Sequence, residues 1–237
     1  MMDSAHSAPS ADDLELGEWF HQQIAKAFLV KRSEWVDGIA ARLQSTRPAT
    51  ERLDVTVVWL SEMTAFTAPG RYIYVTGRLM EYCPGEASLA FTLAHEVAHH
   101  DLGHLQYFPR WVRDVADHWT TEIIFLLVHG VQRFLYSPER ECAADRHALD
   151  LCIRAGYDPQ DCLHLFTQLE DRLLDLGDFA GVYGPSDSDE ELVRDASFMT
   201  KLQIWVGQRA RGYMPVRDRR RALEAYIVER GRGGASA

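Results

Sequence analysis

The amino-acid sequence predicts an α+β domain that is mostly helical and carries a small β-sheet. Two segments rich in β-branched and aromatic residues, 53–61 and 72–76, are typical of strands. Elsewhere, apolar residues recur at three- and four-residue spacing, which is typical of amphipathic helices. Helices that are segregated from a small sheet define the α+β class.

The order of the predicted elements follows from these local patterns. Residues 14–44 have helical spacing with a break in the middle, and the polar segment 45–52 is a loop. The two strands are separated by a turn at Pro69, which favours a sheet edge because proline cannot donate to a central strand. Further helices are predicted at 84–105, 108–136, 138–155, 159–175, 190–210 and 217–230.

The composition fits a single soluble domain with short tails. The 237 residues are 46% hydrophobic and 25% charged, which is enough apolar material for one core. Residues 1–11 are small and polar, and residues 232–237 are rich in glycine and small residues. We therefore expect two disordered tails around one domain that spans 12–231.

Charge and hydropathy exclude several classes of protein. The net charge of −10 argues against a general nucleic-acid binder. The N-terminus lacks the basic and apolar regions of a secretory signal. The most apolar run, 123–128, is too short for a membrane-spanning helix, so we interpret it as a buried helix. Peripheral membrane contact through a helix at 122–136 is the alternative interpretation.

The four cysteines form no C-x-x-C pair, and the chain is not a short, cysteine-dense one. We expect free, mostly buried thiols in a reducing compartment, which favours a cytoplasmic protein.

The segment "HEVAHHDLGH" carries the most informative pattern, because His95, Glu96 and His99 form an H-E-x-x-H motif on the predicted helix 84–105. Residues four apart on a helix point about 40° apart, one turn along the axis, so both imidazoles can reach one ion. Zinc binds imidazole and carboxylate ligands, and a catalytic site keeps one position open for water. Glu96 lies beside the two histidines, where it can take a proton from that water.

The identity of the third ligand decides the kind of site. His104 is five residues after His99, and in a continuous helix it points about 140° away, so we interpret it as a structural or helix-end histidine. The metzincin pattern needs a histidine at the position of Leu105. His100 also points away from the ligand face.

A second predicted helix, in "SPERECAADRHALDL", supplies the alternative. Glu141 and Asp145 are four residues apart on it. Glu141 can be the third ligand, and Asp145 can bond the outer nitrogen of a ligating histidine and fix its orientation. A solvated acidic face is the competing interpretation, but the intervening residues are too apolar for a fully exposed helix.

These motifs together resemble, in order, those of the HtpX-like and CAAX-prenyl-protease-type zinc metallopeptidases, which are gluzincins. The resemblance rests on "MTAFTAPGRYIYVTGRLM", "LAHEVAHHDLGH" and "SPERECAADRHALDLCIRAGYDP". It implies one Zn²⁺ per chain on His95, His99 and Glu141, with Glu96 as the general base and Asp145 supporting a ligand. It further implies a zincin-like domain that acts on peptides or unfolded proteins.

The resemblance also implies a substrate-binding strand, and the sequence departs from the family pattern at two positions. The strand around Ala65 and Phe66 would hold substrate by strand addition. Thr64 stands where the family strand begins with asparagine. Near the C-terminus, many members carry a His-Pro pair and an arginine six residues after the histidine; here Met214 replaces the histidine, and Arg220 is the matching arginine.

Two functions follow from these predictions. The first is a zinc-dependent metalloendopeptidase in which Arg220, and Tyr213 as a further candidate, assist the oxyanion. The second, prompted by Met214, is a catalytically weak zinc-binding protein that acts as a peptide-binding chaperone or adaptor. A purely structural zinc site is disfavoured, because it has no use for the base Glu96.

Overall fold

The computed structural model describes residues 9–59, 63–107, 137–175 and 216–234. The predicted helices at 108–136 and 190–210 and the positions of Tyr213 and Met214 lie outside these residues. The described helices are α1 (Ala11–Ala27), α2 (Glu34–Leu43), α3 (Gly77–Tyr82), α4 (Glu86–Asp101), α5 (Pro138–Arg154), α6 (Pro159–Cys162), α7 (His164–Asp175) and α8 (Val216–Gly234). The strands are β1 (Leu29–Lys31), β2 (Asp54–Trp59), β3 (Ala65–Thr67) and β4 (Tyr72–Thr76), and short 3-10 helices cover Ala49–Glu51 and His104–Tyr107.

The predicted α+β class is confirmed: the protein is mostly helical and has a small mixed sheet. The strand order is β1-β2-β4-β3. β2 and β4 are parallel, whereas β1 pairs with β2 and β3 pairs with β4 in the antiparallel sense. β1 occupies the break in the predicted helix 14–44; three residues are too few for a recognisable period, so pairing with β2 decides their conformation.

Both faces of the sheet are buried, which makes the domain a three-layer structure. Alternate residues of a strand point to opposite faces. Val57 and Val75 therefore join the main core with α2, α4 and α5. Phe66 and Tyr74 join a second core, formed with Phe20 of α1.

Helix α1 approaches the turn between β3 and β4 at a glycine. A Cβ on Gly17 would lie 2.2 Å from the backbone oxygen of Pro69, so only glycine permits this separation. Gly70 has φ 76°, a left-handed conformation that favours glycine at the turn.

The described helices extend slightly into the predicted tails. α1 begins at Ala11, where the Ser10 side chain accepts from the backbone N of Asp13 in a capping box. α8 continues to Gly234. Within the described parts of the chain, none of the helices has the length and apolar character needed to cross a membrane.

The four cysteines are free thiols, and Cys152 and Cys162 are buried. The expectation of free cysteines is therefore confirmed, while the compartment stays a prediction.

Candidate metal centre

The packing of α4 against α5 brings the two halves of the predicted site together. α4 ends at Asp101, earlier than the predicted 105, because Gly103 turns the chain with φ 67°. α5 begins after Ser137, whose side chain accepts from the backbone N of Arg140, with Pro138 in its first turn. These two helix ends place the His95 face of α4 opposite Glu141 of α5.

Three buried side chains converge on one point. His95 Nε2 lies 3.0 Å from His99 Nε2, and Glu141 Oε2 lies 3.6 Å from His95 Nε2. Glu141 Oε1 lies 3.4 Å from His99 Nε2. His99 has no exposed surface, and Glu141 is 4% exposed.

The separations of these three groups suit a zinc ion. Ligand atoms about 2.0–2.1 Å from a tetrahedral zinc lie roughly 3.3–3.4 Å from one another. The distances between the imidazole nitrogens and the carboxylate oxygens are close to this edge length, and one ligand atom from each residue fits within 4.8 Å of the others. Glu141 Oε1 is buried and has no hydrogen-bond partner among the described residues. A cation would satisfy this oxygen, so the donor set fits the predicted metal.

Behind His95 lies a buried charge network. Asp145 Oδ1 lies 3.0 Å from His95 Nδ1, on the side of the ring opposite the converging Nε2. Arg219 of α8 donates from Nε and Nη2 to the two carboxylate oxygens of Asp145, at 2.8 and 2.6 Å. Its Nη1 lies 3.2 Å from Glu141 Oε2. One guanidinium therefore contacts the carboxylates of both Glu141 and Asp145.

Arg219, and not its neighbour Arg220, is the arginine that the structure brings to the centre. Arg220 donates to Glu170 at 2.8 and 3.1 Å and also bonds Glu224, on a partly exposed face of α8. The family pattern predicted that Arg220 lies at the site. In the structure the adjacent residue, Arg219, lies there instead. The helical repeat could have predicted this, because Arg219 and Leu223 are four residues apart on the same helix face. Leu223 is buried, so that face points into the protein.

His99 has a different neighbour. Because α4 ends before it, His104 folds back and places its Nδ1 2.8 Å from His99 Nδ1. His104 lies outside the group of three side chains that could hold a metal ion, and it contacts His99, which belongs to that group. His100 faces away from the centre, and its Nε2 bonds Thr67 Oγ1 of β3.

Glu96 is buried next to the ligands. Burial raises the pKa of its carboxyl to about 7. Its Oε2 has no hydrogen-bond partner within the described parts of the chain. Such an oxygen is available to a water or to a substrate group in the site.

The surroundings of the candidate ligands shift their pKa values in different directions. Burial opposes charge on His95, but the nearby carboxylates of Glu141 and Asp145 raise its pKa to about 10. Burial lowers the pKa of His99 to about 3 and that of His104 to about 4. Burial also opposes charge on Glu141, but His95 and Arg219 hold its pKa well below the usual range. In the metal-free centre, His95 is therefore a protonated imidazole beside anionic carboxylates, whereas His99 and His104 are neutral.

The strand that is predicted to bind substrate, β3, lies beside helix α4. β3 is the last strand of the described sheet and packs against α4. The side chains of Ala65 and Phe66 are buried in the two separate cores. Any substrate contact of these residues would therefore use their backbone, and strand addition stays a prediction.

The chain was compared with models of known protein families. The family model described as Peptidase family M48 matches residues 31–200, which is well over half of the chain. The matched range contains the candidate ligands on α4 and α5 but not α8, which carries Arg219. A comparison with curated proteins gave no match.

Proposed function

We propose that this chain, which belongs to peptidase family M48, is a zinc-dependent metalloendopeptidase. The observation that carries the proposal is the convergence of two imidazole nitrogens and one carboxylate, at separations of 3.0, 3.6 and 3.4 Å, beside the buried acid Glu96.

His95, His99 and Glu141 would hold one zinc ion through Nε2, Nε2 and a carboxylate oxygen. When bound there, zinc would lower the pKa of a water and polarise the carbonyl group of the scissile peptide. Glu96 would accept the proton of the attacking water at its unpartnered Oε2 and would then donate it to the leaving amine.

The other residues of the centre orient these groups. Asp145 holds the His95 ring from its Nδ1 side, which leaves Nε2 unprotonated and directed at the metal position. Arg219 engages Glu141 Oε2, which leaves Oε1 as the carboxylate oxygen for the metal.

The substrate that we propose is a peptide or an unfolded protein bound in extended form. β3 lies against α4, so a segment added beside this strand would run past the metal position. The finer assignment to the HtpX-like or CAAX-prenyl-protease type rests on the ordered motifs of the sequence.

The experiment that tests the proposal compares wild type with Glu96→Gln, using zinc content and turnover of an unfolded protein substrate. Glutamine keeps the size of the side chain but cannot take the proton. We expect Glu96→Gln to keep its zinc and to lose roughly 10²–10⁴-fold in turnover. Glu139→Gln, an exposed change on α5, is the matched control and should leave both quantities unchanged.

Equal turnover in wild type and Glu96→Gln would refute the proposed mechanism. A wild type that binds zinc and peptide but leaves the substrate intact would instead favour the chaperone or adaptor function, for which Met214 is the motivating residue.

A further inference from the structure

The two histidine ligands are supported in different ways. Nδ1 of His95 faces the carboxylate of Asp145 at 3.0 Å. Nδ1 of His99 faces the Nδ1 of another imidazole, that of His104, at 2.8 Å. The rings of His99 and His104 lie 5.0 Å apart between centroids and are inclined by 57°, so their edges meet and they are not stacked.

The contact between two ring nitrogens determines where the hydrogens lie. One nitrogen must donate and the other must accept. His99 Nε2 points to His95 and Glu141 and must be unprotonated to bind a metal, so the ring hydrogen of His99 resides on Nδ1. His104 Nδ1 is then the acceptor, and the hydrogen of His104 resides on its Nε2.

We propose that His104 is a positioning residue for His99: its Nδ1 accepts the Nδ1 hydrogen of His99 and thereby fixes the ring with Nε2 toward the metal. The inference rests on the proposed function, because it takes His99 as a metal ligand. Partners of this kind fix the tautomer and the orientation of a ligating imidazole.

The chain geometry at the end of α4 makes this contact specific. Leu102 closes the helix, and Gly103 adopts φ 67° before the 3-10 helix that begins with His104. In a continued helix, His104 would point about 140° away from His99. The early helix end therefore places a buried, 7% exposed imidazole behind a ligand that has no exposed surface.

The network gives His99 a neutral support and His95 an anionic one. The carboxylate of Asp145 is itself neutralised by Arg219. His104 offers an acceptor without adding a charge to a centre that already contains Glu141, Asp145 and Glu96. We infer that the loss of this acceptor loosens one ligand without changing the charge of the site.

The test measures the Zn²⁺ affinity of the full chain by competition with a chromogenic chelator, in His104→Asn and His104→Leu. The Oδ1 of asparagine can take the place of Nδ1 as acceptor, whereas leucine fills the space without one. We expect leucine to weaken Zn²⁺ binding 10–100-fold, and asparagine to remain close to wild type. Wild-type affinity in His104→Leu would overturn the proposal, as would equal weakening in both variants.

Nitrogen–proton correlation spectra of the zinc-loaded wild type test the same point without a substitution, should His104→Leu not fold. The expected result is a hydrogen on Nδ1 of His99 and on Nε2 of His104. A hydrogen on Nδ1 of His104 would overturn the inference. A wild-type protein that binds no Zn²⁺ would overturn both the proposed function and the inference. If the wild type turns over substrate and His104→Leu binds Zn²⁺ as tightly as the wild type, the inference alone would be overturned.

Discussion

Arg219 and Arg220 are adjacent in the chain, and the structure assigns them very different environments. The metal-free centre holds two cations, Arg219 and His95, against the carboxylates of Glu141 and Asp145. Replacing Arg219 by methionine keeps a long apolar stem to pack on Phe166, whose ring lies 5.6 Å from the guanidinium carbon. The change leaves an excess negative charge in a buried site.

The loss of one partner from a buried ion pair costs about 3–5 kcal/mol. Arg220 is the neighbouring comparison: its side chain is 25% exposed and pairs with Glu170, which is 17% exposed, and with Glu224, which is 43% exposed. For Arg220→Met we therefore expect a smaller loss, of about 1–2 kcal/mol. At 2–4 °C per kcal/mol for a domain of this size, Arg219→Met should lower Tm by roughly 6–20 °C.

Urea unfolding in the presence of a chelator, followed by tryptophan fluorescence, measures both variants in the metal-free state. Arg219→Lys should fall between wild type and Arg219→Met, because lysine keeps the charge but cannot form the two-pronged contact with Asp145. If Arg219→Met loses no more stability than Arg220→Met, Arg219 is not the charge partner of the α5 acids, and the reasoning fails.

Two further predictions concern ligand support and backbone packing. Asp145→Asn should lower Zn²⁺ affinity 10–100-fold in a chelator competition, because a neutral amide holds His95 less firmly; unchanged affinity would contradict the role of Asp145. Gly17→Ala should destabilise the protein, because the added Cβ would lie 2.2 Å from the Pro69 oxygen. Gly38→Ala should instead stabilise it by about 1 kcal/mol, because no atom lies within 4 Å of the added Cβ. Thermal unfolding of the two alanine variants checks this, and a stabilised Gly17→Ala would be the contrary result.

The choice between Arg219 and Arg220 shows what a sequence motif can and cannot identify. A match by position to the family selects Arg220, and the helical period of α8 selects Arg219, which lies on the buried face with Leu223. The matched family range ends before this helix. The arrangement of α8 against α5 is therefore the observation that identifies the arginine.

Within one helix, the sequence by itself determined the relative directions of side chains, because the α-helical repeat is fixed by backbone hydrogen bonds. The spacing of His95, Glu96 and His99 was sufficient for a two-histidine face with an adjacent acid, and Glu141 and Asp145 were recognisable as a pair. The two strands were equally local, since their β-branched composition is typical of a buried sheet.

Contacts between elements were decided only by the tertiary structure. The separation of Glu141 from the two histidines depends on the packing of α4 against α5, which no local repeat encodes. The contact of His104 with His99 depends on where α4 ends, and a single left-handed glycine moves that end by one turn. Local geometry thus specified which groups could form a metal site, and helix packing specified which groups support it.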